Sequence, residues 1–582
     1  MPEIYNNPFE YDAATKLPEE KIVDFYIEDF NYSRFIHSKR NIMLVGERGT
    51  GKSMALLFNS FPIAQLKAEK SGNTPDYDII CVYIPCNTPL THHREYQLLE
   101  ADEAAVISEH FLVLAIMFGV IDTVSKIKNL LNEVDESKLK KQFAFVLDLE
   151  IPEEDSLFEG LKQTLQREMT KTQKMLNSRV KDAFYDAALS FSSGILPLLS
   201  TLRAIPKLKY SHFALMIDDA HDLNEFQIRV LNSWIAYRDN SLFSFKVATA
   251  KVEQPRRITA SGGTILDGHD FTLIDMEKAY QSQSTDFALL AREVVQRRLN
   301  NINIDRTPDE FFPIGSEFQK ELDAAESKAR KKAEEKYPNG TKKQITDYIY
   351  KYARAEYFRS RSPKANRPQY SGFDTLVHVS TGIIRNLLEP CWWMYDSVYS
   401  RQPEQSKQQK IMEIPPSIQS EILLERSEKK WDWIREQLEC SIDGCSREQR
   451  EQVFRLFDNL MILFRERLYN HESEPRAIVF TISEREFGNN DKLEEILKIA
   501  RKAQILYTRT GSAKDHGKRE TYYVPNRILL PDRGLDPNGQ HARVSIKAQH
   551  LWKAASDNTQ IPMDIRDETE VGTISDLQGV LL

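Results

Sequence analysis

Residues 41–53 read Asn-Ile-Met-Leu-Val-Gly-Glu-Arg-Gly-Thr-Gly-Lys-Ser, and their reading decides the fold. Ile42 to Val45 form an apolar run of the kind a buried strand needs. Gly46, Gly51, Lys52 and Ser53 fill the G-x-x-x-x-G-K-[ST] template of a phosphate-binding loop. The spacing follows from the chemistry. Glycines let backbone N–H groups turn inward around a polyphosphate. Lysine places a point charge on the β- and γ-phosphates, and serine offers a hydroxyl to Mg²⁺. A helix predicted from about Lys52 through Phe58 aims its positive end at the same anion. The candidate nucleotide-binding residues are Gly46, Glu47, Arg48, Gly49, Thr50, Gly51, Lys52, Ser53 and Met54. The competing reading, a chance Gly-rich turn, does not account for the strand before it and the helix after it.

A second carboxylate-bearing strand is expected with such a loop. Phe213-Ala-Leu-Met-Ile-Asp-Asp219 supplies one: five apolar residues read as a strand buried on both faces, as in a parallel sheet. Carboxylates at the carboxyl end of such a strand sit where ligands bind in open α/β sheets. Asp218 is the candidate Mg²⁺ residue together with Ser53, and Asp219 the candidate for polarising an attacking water. Taken alone, the pair also fits a strand-end turn with solvated aspartates. A third strand, Phe243 to Val247, runs into Ala248-Thr-Ala250. Thr249 is either a reader of the γ-phosphate or attacking water, or a residue chosen for β-propensity.

Bulk properties bound the answer. A chain of 582 residues suggests roughly three to four domains. With 41% hydrophobic and 28% charged residues and a net charge of −8, it is not a polycation, so any nucleic-acid contact must come from a local patch. Five cysteines, at 81, 86, 391, 440 and 445, suit a reducing cytosol and lack zinc spacing. The longest apolar run, Phe111 to Ile121, is shorter than the ~20 residues of a spanning helix, so no membrane partner is expected.

Along the chain, residues 1–300 read as the nucleotide-binding core, with a helical insertion at about 90–205. Residues 301–400 read as a helical lid carrying a charged helical hairpin at about 315–360. That hairpin is either a solvated face or an arm toward a neighbouring subunit or DNA. A helical connector (401–470), an α+β segment (471–555) and a loose tail (556–582) follow. Within 471–555 the predicted order is strand, helix, hairpin, as in a winged helix. Span 501–527 holds seven Lys/Arg against two acids, and Lys514, Lys518 and Arg519 are the candidate DNA contacts. Against DNA, the helix of this segment carries Asp491, Glu494 and Glu495, and winged helices also dock proteins.

Phosphate loop, Asp-Asp strand and polar third strand together resemble an AAA+ ATPase. Val379-Ser-Thr-Gly-Ile-Ile-Arg-Asn-Leu-Leu388 is similar to the Gly-x-x-Arg helix start of the AAA+ lid. With Asn7-Pro8-Phe9 and the winged-helix-like segment, the match narrows to a bacterial ATPase resembling the origin-recognition-complex branch, often found with anti-phage or mobile-element systems. The resemblance implies an α/β P-loop core with a parallel sheet, an all-α lid and a C-terminal winged-helix-like α+β domain. It implies ATP and Mg²⁺, an ATPase activity, a cytoplasmic homo-oligomer, and engagement of DNA or a co-encoded effector. It makes Arg385 the sensor arginine, and Arg256 or Arg257 the arginine acting in trans unless they are a solvated basic pair. The chain departs from the family at Asp219, where a glutamate is usual; the shorter carboxylate puts rapid hydrolysis in doubt. Two further readings stand beside the phage-defence switch: a replication or transposition accessory ATPase, and a scaffold that binds ATP with little turnover.

Overall fold

The apolar runs around the phosphate loop become the strands of one five-stranded parallel sheet. A computed structural model describes residues 7–10, 13–28, 32–86, 95–96, 99–152, 155–178, 188–237, 241–252, 257–276, 286–361, 367–403, 409–470, 475–484, 488–512, 519–538 and 540–563. By contact the chain divides into two units, Asp12–Glu277 and a second made of Met1–Tyr11 with Lys278–Leu582.

In the Asp12–Glu277 unit the strands are β1 (Ile42–Gly46), β2 (Ile79–Pro85), β3 (His212–Asp218), β4 (Phe243–Ala250) and β5 (Thr272–Asp275). Their order is β2-β3-β4-β1-β5, and every pairing is parallel. Every residue of β1, β3 and β4 is buried. Burial on both faces is why these strands read as continuous apolar runs with little alternation. Lys246 breaks the rule in the middle of β4. Its Nζ donates to the Ser38 carbonyl at 2.6 Å and to that of Arg40, and burial lowers its pKa to about 7. The lysine thereby ties down the chain entering β1.

The long crossover from β2 to β3 holds the helical insertion. Helix α1 (Lys52–Phe58) follows β1; α2 (Ala101–Ser125), α3 (Leu157–Ser178) and α4 (Glu225–Ala236) come later. The apolar run at 111–121 proves to be part of α2, a 25-residue helix long and apolar enough to cross a membrane by length and composition. Two-thirds of its apolar window is nevertheless buried inside the protein (67%). Leu112, Leu114, Met117 and Ile121 join the core formed by β2, β3 and the insertion. Gly119 permits the approach to β2: a Cβ there would meet Ile84 Cγ1 at 3.2 Å.

The other unit begins with the N-terminal segment. Phe9 is wholly buried, against the rings of Phe311, Phe312 and Tyr395. Asn7 donates to the Trp392 carbonyl at 2.9 Å, and Arg298 to those of Pro8 and Glu10. The charged hairpin is two helices, α5 (Ser316–Lys336) and α6 (Lys342–Arg359). Glu356, on the buried side of α6, pairs with Lys328 and Lys332 of α5. Arg354 of α6 grips buried Asp536 with two hydrogen bonds, 2.8 and 2.9 Å, and Arg476 adds a third contact at 3.2 Å. This buried charge triad fastens the hairpin to the C-terminal segment, so one face of the hairpin packs on its own chain.

Helix α7 (Phe373–Val379) turns into α8 (Ile384–Arg401). Farther on come β6 (Ala477–Ser483), α9 (Asn490–Lys502), β7 (Leu506–Ser512), β8 (Arg519–Pro525), β9 (Gln540–Lys547) and α10 (Ala548–Asp557). The second sheet has the order β7-β8-β6-β9. β7 and β8 form the hairpin, and β9 pairs parallel to β6.

Candidate nucleotide-binding site

The loop after β1 needs its glycines for identifiable reasons. Gly49 and Gly51 hold φ of 92° and 95°, which an L side chain adopts only with strain. At Gly46 a Cβ would stand 2.9 Å from Thr50 Oγ1, and that hydroxyl donates to the Glu47 carbonyl at 2.9 Å. The loop therefore closes on itself through Thr50. Lys52, in the first turn of α1, directs its Nζ to the carbonyls of Gly46 and Glu47 at 2.9 and 3.0 Å. The cation thus sits inside the loop curve. Arg48 is exposed, and Met54 is half-buried.

Parallel register brings the other candidates to the same edge. Val45 lies opposite Thr249, and Gly46 opposite Ala250. Asp218 ends β3 opposite Pro85 of β2. Asp218 is 1% exposed. Burial, then the Asp219 charge, raise its pKa to about 6 against the opposing pull of hydrogen bonds from Ser53 and Tyr83 and the charge of Lys52. Ser53 and Asp218 are therefore in contact, although 165 positions separate them in sequence. Tyr83 was not legible as a site residue: its hydroxyl donates to Asp218 Oδ2 at 2.7 Å.

Asp219 has a left-handed backbone, φ 53° and ψ 43°. Among non-glycine residues Asp tolerates this region well. The Asp219 N–H donates to Asp218 Oδ1 at 3.0 Å, so the turn itself fixes one oxygen of its neighbour. Thr249 is 1% exposed, and its buried Oγ1 has no hydrogen-bond partner among the described residues. It lines a small cavity of about 20 Å³ together with Met43, Asn232 and Arg257.

The arginines are placed differently. The Arg257 guanidinium lies 5.1 Å from the centroid of Phe271 in its own unit. Arg256 lies outside the described residues. Arg385 is exposed in the first turn of α8 and belongs to the other unit. The turn before it has positive φ at Thr381 and Gly382, 58° and 80°. The C-terminal segment holds this turn: Arg509 donates to the Thr381 carbonyl at 2.5 Å, and the Arg527 N–H to Thr381 Oγ1 at 3.0 Å. Asn386, next to Arg385, donates to the Tyr507 hydroxyl at 3.0 Å. Lys514 and Lys518 lie outside the described residues, and Arg519 opens β8.

The donor set fits a magnesium–triphosphate group. The loop is curved by two left-handed glycines and holds the Lys52 ammonium inside its curve. A hydroxyl and a carboxylate meet beside it, and a buried hydroxyl stands without a partner at the tip of β4.

A family model described as ORC-CDC6-like matches residues 7–347 and 322–546. Among solved structures, the chain is similar to Cdc6p from Pyrobaculum aerophilum, at 11% sequence identity over 95% of this chain and 98% of that one. The TM-score of that pair, 0.28, is too low to carry an argument. No curated protein matches the chain.

Proposed function

The chain belongs to the ORC-CDC6-like family of AAA+ P-loop proteins, and from that premise we propose that it binds and slowly hydrolyses ATP as a molecular switch. One observation carries the reading: Ser53 of the phosphate loop meets Asp218 of β3 at the carboxyl edge of the sheet. Ser53 and Asp218 would hold Mg²⁺, which when bound neutralises phosphate charge. Lys52 supplies the fixed cation for the β- and γ-phosphates. Asp219 orients water and accepts its proton, and Thr249 offers a hydroxyl to the γ-phosphate or to that water. Arg385 reads the γ-phosphate from the lid, and Arg256 or Arg257 serves a neighbouring copy.

The switch reading extends to the C-terminal segment. The turn before Arg385 is bonded to Arg509 and Arg527, so a nucleotide-dependent movement of α8 would carry that segment with it. The chain then works as a cytoplasmic homo-oligomer. It engages DNA through Lys514, Lys518 and Arg519, or a co-encoded effector, in phage defence. A second reading, a scaffold that binds ATP with little turnover, is favoured by Asp219 alone: its carboxylate is one methylene shorter than glutamate. Phosphate release by the wild-type chain and by Lys52→Ala, with and without duplex DNA, tests the proposal. Turnover that depends on Lys52 supports the switch. Turnover unaffected by Lys52→Ala refutes the site, and binding without turnover selects the scaffold.

A further inference from the structure

The carboxylate of Asp218 is held from three directions. Oδ1 accepts the Asp219 N–H at 3.0 Å, Ser53 contributes its hydrogen bond, and Oδ2 accepts the Tyr83 hydroxyl at 2.7 Å. The first two belong to the Asp-Asp turn and the phosphate loop. The third comes from the neighbouring strand, in which Val82 and Ile84 are core residues at 0% and 2% exposure. The parallel register sets Pro85 against Asp218 and Tyr83 two positions earlier, so a long side chain from β2 reaches along the sheet edge to the carboxylate. A phenylalanine would fill the same ring volume. The hydroxyl is what makes the polar contact.

We propose that Tyr83 is a positioning residue for the divalent metal: its hydroxyl fixes the Asp218 carboxylate against Ser53 and so sets the affinity of the site for Mg²⁺ in the presence of nucleotide. The inference rests on the nucleotide-binding reading above. A phenol is protonated at neutral pH and serves there as a donor. Without it, Oδ2 loses the donor from β2, and the Asp219 N–H and Ser53 alone hold the carboxylate.

The test uses the full chain and a fluorescent ATP analogue. Binding is titrated with Mg²⁺ for the wild type, Tyr83→Phe and Lys52→Ala, and melting temperatures are recorded alongside. Tyr83→Phe should stay folded, melting lower only by the loss of one buried hydrogen bond, and bind the analogue equally in the absence of metal. It should need about tenfold more Mg²⁺ for half-maximal binding, the scale of one hydrogen bond to a charged group, and excess Mg²⁺ should restore full binding. Direct Mn²⁺ binding, read by the loss of free Mn²⁺ resonance signal in the presence of ATP, should weaken by the same factor. An unchanged metal midpoint in a wild type that does bind nucleotide overturns the role of Tyr83 and leaves the site intact. A lowered melting temperature with an unchanged metal midpoint also overturns it, since that is the signature of packing alone. A wild type with no Mg²⁺-dependent, Lys52-dependent binding overturns the nucleotide-binding reading itself.

Discussion

Acid should strip metal-dependent nucleotide binding from this chain in a range where an ordinary aspartate is still ionised. Burial and the Asp219 charge raise the Asp218 pKa from 3.8 to about 6. A carboxyl with that pKa is ionised to about 90% at pH 7 and about 10% at pH 5. Since the ionised form holds Mg²⁺, metal-dependent affinity should fall about tenfold over those two units. ATP protonates in the same range, so the control is Asp218→Asn, which meets the same nucleotide but has no side chain to titrate. The assay is calorimetric or fluorescence titration of Mg²⁺-ATP at pH 5, 6, 7 and 8, read as the wild-type to variant ratio. That ratio should climb from pH 5 to 7 and then level off. The linked effect on folding has the opposite direction. A carboxyl whose folded pKa lies above its unfolded value contributes stability below about pH 4, and loses it as pH rises through 6. The loss is at most about 3 kcal/mol for a shift of this size. At pH 7 without ligand, Asp218→Asn should therefore unfold at higher urea than the wild type. A binding ratio flat from pH 5 to 7 would refute the burial argument.

Three other outcomes are testable. Asp219→Asn should bind nucleotide normally while phosphate release falls by at least ~100-fold, the scale of a general base; identical slow release in both proteins would favour the scaffold. Asp536→Asn leaves Arg354 and Arg476 facing a neutral group in the buried triad. It should cost about 3–5 kcal/mol in a urea melt of the full chain, and a loss under about 1 kcal/mol would show the triad to be dispensable. Replacing Lys514, Lys518 and Arg519 with Ala should weaken duplex binding irrespective of sequence. It should also flatten the salt dependence by roughly one in slope per lost phosphate contact. No duplex binding by the wild type at low salt with ATP present would move the C-terminal segment to protein docking.

What could be read from sequence was local. The loop from Gly46 to Ser53 states its own conformation, because glycine spacing and flanking periodicity lie within a dozen residues. Asp218 was legible because an uninterrupted apolar run ends on it. The partners of these residues were not. Tyr83 lies 135 positions from Asp218, and only the register of β2 on β3 brings them together. Lys246 reads as a surface residue in an apolar strand, yet its ammonium is buried under the carbonyls of Ser38 and Arg40. The short β5 offers only four residues, and β9 alternates Ala542, Val544 and Ile546 with His541, Arg543 and Ser545, a strand pattern that does not name its partner. β9 becomes a strand through its parallel pairing with β6, some 60 positions earlier, and no local pattern specifies such a pairing. Asp536 looks like one acid in a Pro-rich loop, and its two arginines come from α6 and from the entry to β6.

Binding of Mg²⁺-ATP to the purified full chain, compared between wild type and Lys52→Ala by isothermal titration calorimetry, tests the central claim most directly. The account predicts one saturable, metal-dependent site per chain in the wild type, and its loss in Lys52→Ala with the melting temperature of the free protein preserved. Equal binding by the two proteins, or none by a folded wild type, would contradict it.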